Sequence, residues 1–105
     1  MAADKDYLNH VMDLLAPLDG ISNRAMFGGF GIFHEGDMFA LITNSGLHFK
    51  VNNTNLAAYN EAGSKQFKPM PYYEVPVEVL EDTMMLLEWA KISISVGHAT
   101  AKKKK

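Results

Sequence analysis

Apolar side chains at Tyr7, Leu8, Val11, Leu14, Leu15 and Leu18 recur at spacings of three and four, which is the stripe of an amphipathic helix. Asp4 stands where such a helix is capped, and Pro17 with Gly20 ends it. From Arg24 to Val51 the rhythm changes to aromatic and β-branched residues, broken by turn chemistry at Glu35-Gly36 and at Asn44-Ser45-Gly46. The pattern predicts three strands, roughly 26–34, 37–43 and 47–51.

With a two-residue first turn, Ile32 is expected to face Phe39 and Phe33 to face Met38, so both sides of the meander carry apolar residues. One face then holds Phe33, Met38, Ala40, Ile42, Leu47, Phe49 and Val51, and should receive the helices. The other holds Phe30, Ile32, Phe39 and Leu41 beside His48 and Lys50, and calls for a further element or a second subunit as cover. A slip of one residue in register would exchange these faces.

Asn53 or Thr54 is placed to cap a short helix through Leu56, Ala57 and Tyr59, with Gly63 to stop it. Short strands are expected at 66–68 and 72–75, in edge positions because Pro69 and Pro71 flank them. A turn of helix follows around Val77 to Leu80. Asp82 caps a last helix with Leu86, Leu87, Trp89, Ala90, Ile94 and Val96 as its buried stripe; Ser93, Ser95 and Gly97 should fray its end. The expected architecture is α+β: an antiparallel meander of about five strands packed with N-terminal, middle and C-terminal helices. It forms one domain over residues 1–101 with a basic tail at 102–105.

Five segments, taken together, add a family. Arg24-Ala25-Met26-Phe27-Gly28-Gly29-Phe30-Gly31-Ile32-Phe33, Met38 to Leu41, Leu47 with Phe49-Lys50-Val51, Tyr72 to Pro76, and Leu86 to Ala90 resemble, in that order, the TfoX N-terminal domain. The resemblance implies a secretion-chaperone-like α+β fold of the kind found in regulators of natural competence. Longer members carry a second, helical domain after this one. It brings no agreed catalytic residues to transfer.

Composition narrows the chemistry. The chain of 105 residues has no cysteine, which excludes disulfide scaffolds, zinc–thiolate sites and thiol catalysis. No signal-like h-region or long apolar run is visible, and the expected location is cytoplasmic, with no membrane partner. Residues 1–101 carry six basic against twelve acidic groups, a formal charge of −6, so nucleic-acid binding by the folded body is disfavoured. The lysines 102–105 could give weak, salt-sensitive contact with phosphates.

Specific sites are sparse. Gly28-Gly29-Phe30-Gly31 invites a phosphate-cradle reading, but His34 stands where a third fingerprint glycine would be needed and the run enters a strand, so a bulge or close ring packing is the expected role. His34, Glu35 and Asp37 cluster at a turn without metal-ligand spacing, and no metal or cofactor is expected. No nucleophile elbow or carboxylate pair in an apolar setting points to an enzyme. Arg24, Phe30, Ile32, Phe39, Tyr72, Tyr73 and Trp89 are the expected interaction residues. The leading expectation is a non-enzymatic, protein-binding regulatory domain, forming a homodimer. The alternatives are a DNA-associated regulator of competence genes and a small-molecule site between the last helix and the sheet near Trp89.

Overall fold

The computed structural model describes residues 5–26, 28–44, 46–68 and 70–103. The expected cap Asp4 and the end of the tail, Lys104 and Lys105, lie outside these residues, as do Phe27, Ser45 and Pro69. The elements run α1 (Lys5–Leu14), β1 (Ile21–Met26), β2 (Gly29–His34), β3 (Asp37–Thr43), β4 (Gly46–Lys50), α2 (Leu56–Glu61), β5 (Tyr72–Glu74), α3 (Val77–Leu80) and α4 (Thr83–Lys103). The strands form one antiparallel sheet in chain order, an α+β arrangement as expected.

The α1 stripe packs as its spacing demands: Leu8, Val11 and Leu15 are buried, with Tyr7, Leu14 and Leu18 against them. At the other end of the chain, the Met85 amide donates to Asp82 Oδ1 at 3.2 Å, so Asp82 caps α4. The Glu35-Gly36 turn has both residues at positive φ, 49° and 92°, as a two-residue hairpin requires, and it sets His34 opposite Asp37.

Four expectations need correction. The segment before Met26 is a strand in its own right; β1 escaped the pattern because Ser22, Asn23, Arg24 and Ala25 are all exposed at the sheet edge and carry no alternation. The 66–68 segment contributes only a single bridge, Gln66 to Tyr73. At α2, neither Asn53 nor Thr54 caps: Asn55 precedes the helix and turns its side chain back, accepting from the Asn52 amide and donating to the Lys50 carbonyl. Nor does α4 fray at Ser93. Its hydroxyl is fully buried and donates to the Lys50 carbonyl at 2.9 Å, and Gly97 lets the helix approach so closely that a Cβ there would lie 2.8 Å from the Met38 carbonyl oxygen.

The face assignment also changes. Ile32 pairs with Ala40 while Phe33 pairs with Met38, which leaves Phe39 as an extra residue, a β-bulge. Beyond the bulge, alternation restarts one residue out of phase. Phe39 and Ala40, though adjacent, are both fully buried, and Phe30, Ile32, Ala40, Ile42, Leu47 and Phe49 share the side packed by the helices. Met38, Leu41, His48 and Tyr72 lie on the other side. The chain after α2 covers part of that outer face, with the Phe67 ring set edge-on to buried His48 at 5.5 Å.

Candidate functional site

Three places in this frame bring chemistry together. The first is the outer face of the sheet beside its β1 edge. Gly31 has no side chain, so the Met26 and Met38 thioethers and the Phe33 ring close over it; a Cβ there would meet them at 2.5, 2.9 and 3.2 Å. Arg24, exposed on the neighbouring strand, holds its guanidinium 5.2 Å from the Phe33 ring centroid, a cation–π contact. The result is a soft, half-exposed apolar patch with one cation on it, continuous with an exposed strand edge.

Of the residues expected to form an interaction surface, only Arg24 belongs to this patch. Phe30 is half-buried against the core, and Ile32 and Phe39 are completely buried in it, because the bulge turns them toward the helices. Tyr72 lies on the outer side but is buried beneath the Lys50 ammonium, 5.8 Å from its ring, and burial pushes its phenol up to about 12. Tyr73, half-buried, faces inward, 6.0 Å from the Tyr59 ring.

The second place surrounds Trp89. Its ring meets Tyr59 edge-on at 4.8 Å, and with Thr54, Asn55, Ala57, Ala58 and Ile92 the two line a cavity of about 290 Å³. The cavity lies between α2 and α4, not between α4 and the sheet as expected. The Tyr59 hydroxyl is buried, and that burial raises its pKa well above the ordinary phenol value. An interaction with the Ser93 side chain acts in the opposite direction, but the phenol oxygen has no hydrogen-bond partner among the described residues.

The third place could not be read from spacing. The extended α4 carries His98 to the β2–β3 hairpin. There His98 Nδ1 meets Asp37 Oδ2 at 2.6 Å, and His98 Nε2 meets His34 Nδ1 at 2.8 Å. Glu35 stands beside them: one ligand atom each from His34, Glu35 and His98 lie within 4.8 Å of one another. His34 and Asp37 were visible at the turn, but His98 is 64 and 61 residues away from them and its partnership has no local signature.

His48 is a different case. Buried on the outer face, with its Nδ1 at 3.1 Å from the Gly46 carbonyl, it has a pKa lowered chiefly by desolvation and is neutral at pH 7. At 2% exposure it presents almost no surface to a ligand.

Among the described residues, no helix is long and apolar enough to cross a membrane. The family model for the TfoX N-terminal domain matches residues 13–96. The chain is also similar to the DNA transformation protein TfoX1 of Aliivibrio fischeri (strain ATCC 700601 / ES114), 37% identical over 51 residues. That match covers 49% of this chain and 24% of the relative, so the matched stretch spans about a quarter of the curated protein. The bulged five-stranded meander, its covering helices and the match across most of their length lead to one statement: this chain belongs to the TfoX N-terminal domain family.

Proposed function

We propose that this chain is a non-enzymatic regulatory domain of the competence-regulator type, that it acts by binding protein, and that a second copy of itself docks along β1. The observation that carries this reading is the state of that edge. Exposed strands are ordinarily protected by proline, a bulge or several charges. Ile21 to Met26 has no proline and one charged residue, pairs in unbroken register with β2, and leaves its four central residues exposed. Two such edges related by a two-fold axis would pair antiparallel, and the Met26, Phe33 and Met38 patch would continue from one copy to the next. The thioethers suit a surface that adapts to its partner. The formal charge of −6 over residues 1–101 opposes a DNA backbone as the first partner.

Size-exclusion chromatography with light scattering tests the reading. A dimer is expected at micromolar concentration, and Phe33→Asp, which places a charge on the patch, should yield a monomer with unchanged circular dichroism. A monomeric wild-type protein under those conditions would sink the proposal.

A further inference from the structure

His34, Glu35 and His98 form a ligand set that the sequence does not announce. We propose that they bind a first-row divalent ion of the zinc type, with Asp37 as the group that orients His98. Asp37 is acceptor-only when ionised, so the bond at 2.6 Å fixes the His98 proton on Nδ1 and leaves the Nε2 lone pair pointing at His34. A carboxylate on the far nitrogen of an imidazole is the usual support of a metal-binding histidine, because it holds the ring and makes the near nitrogen more basic. His34 presents Nδ1 to that same lone pair at 2.8 Å. In the hydrogen-bonded arrangement the intervening proton sits on His34 Nδ1; moving it to Nε2 of the same ring gives two facing lone pairs without any net proton loss.

The distances suit this exchange. Zinc bonds to nitrogen at about 2.0–2.1 Å, so two tetrahedral ligand atoms stand roughly 3.3 Å apart. The two imidazoles must open by about half an ångström from 2.8 Å, and each must turn by roughly 35° so that the lone pairs converge on the ion instead of on each other. The third ligand atom comes from Glu35, an exposed side chain at the hairpin tip, within 4.8 Å of the other two. Glu35 holds a positive φ of 49°, uncommon for a residue with a side chain, and its amide is tied to the Gly20 carbonyl at 2.9 Å. The backbone that presents the carboxylate is therefore fixed.

Two nitrogens and one oxygen select zinc and its neighbours over magnesium or calcium, which take oxygen ligands. Both histidines are half-buried and Glu35 faces water, leaving the remaining coordination position to solvent. The consequence is mechanical: the ion would fasten α4 near its C-terminal end to the β2–β3 hairpin, elements far apart in the chain.

Tag-free protein, stripped with a chelator, is titrated with zinc by calorimetry and with cobalt by visible absorption. One ion per chain is expected, with cobalt bands of four-coordinate intensity. His98→Gln and His34→Gln should abolish that binding. Asp37→Asn should weaken it roughly 10- to 100-fold, as loss of an orienting carboxylate does elsewhere. His10→Gln, an exposed histidine remote in sequence, should change nothing. Circular dichroism of each variant establishes that it is folded. Zinc should also slow amide exchange in residues 98–103 of the wild type. No saturable binding, or binding that survives in folded His34→Gln and His98→Gln proteins, overturns the proposal; so does binding with unchanged exchange at the end of α4.

Discussion

Alanine placed at each glycine of the run Gly28-Gly29-Phe30-Gly31 should produce three different outcomes, and their order tests whether the run is architecture. At Gly29 a Cβ would lie 1.9 Å from the Ile42 carbonyl oxygen, 3.0 Å from its carbon and 3.3 Å from Thr43 Cα. All three atoms are backbone. Reaching an acceptable separation requires β2 and β3 to part by more than 1 Å at the Phe30–Ile42 pair, which stretches the adjoining ladder bonds past useful length. Overpacking costs about 1–3 kcal/mol. Two weakened bonds add about 0.5–1.5 kcal/mol each, and the lower chain entropy of alanine returns about 0.5–1. These terms bound the net loss for Gly29→Ala between about 1 and 5.5 kcal/mol with a centre near 3, or roughly 12–24 °C in melting temperature for a domain of this size. Gly28 has open space around it and a φ of +72°, so alanine there pays only backbone strain of about 1–2 kcal/mol. At Gly31 the obstacles are the Met26 and Met38 sulfurs and the edge of Phe33, flexible ends that can rotate away, and the cost should stay within about 1 kcal/mol. Urea and thermal unfolding followed by circular dichroism give the three values. A Gly29→Ala protein within 1 kcal/mol of wild type, or one more stable than Gly31→Ala, would refute the steric argument.

Two further outcomes rest on buried polar groups. His48 has a folded pKa below the ordinary histidine value, so between that pKa and about 6.5 the unfolded chain binds more protons than the native one and stability falls as pH falls, by at most about 1.4 kcal/mol per pH unit. The Tm measured from pH 7.5 down to 5.5 should therefore decline, and His48→Gln should flatten the decline; an identical slope in the variant would show that another group carries it. Tyr59→Phe removes a buried hydroxyl that has no hydrogen bond, so it should leave stability unchanged or raise it by about 1 kcal/mol, and a clear loss in urea midpoint would mean the hydroxyl has a partner after all.

The parts of the fold that were legible in sequence are those where one physical requirement dominates. The α1 stripe needs only a buried face, and Glu35-Gly36 needs only a left-handed turn; both are written in residue type. β1 was illegible because an edge strand exposed on its central residues has no reason to alternate, so Ile21 to Ala25 reads as loop. The end of α4 is illegible for the opposite reason. Ser93, Ser95 and Gly97 look like weak helix formers, yet Ser93 and Gly97 are small because the helix lies directly on β3 and β4 and has no room for more.

The outer patch and the histidine cluster both depend on the bulge. A period-two count carried from Ile42 through Ala40 would put Met38 toward the helices and Asp37 away from them. Phe39, inserted without a partner, reverses that phase: Met38 goes to the outer patch, and Asp37 comes to stand opposite His34 on the side where α4 passes. Had Phe39 been paired, His34 would face Met38 across the ladder, and the loop would be one residue longer. Met38 would then leave the thioether cover over Gly31, and Asp37 would no longer be set to orient His98. One unpaired residue in β3 therefore fixes the composition of both the outer patch and the histidine cluster. No local propensity marks it, since a phenylalanine in a strand looks the same whether it is paired or extra.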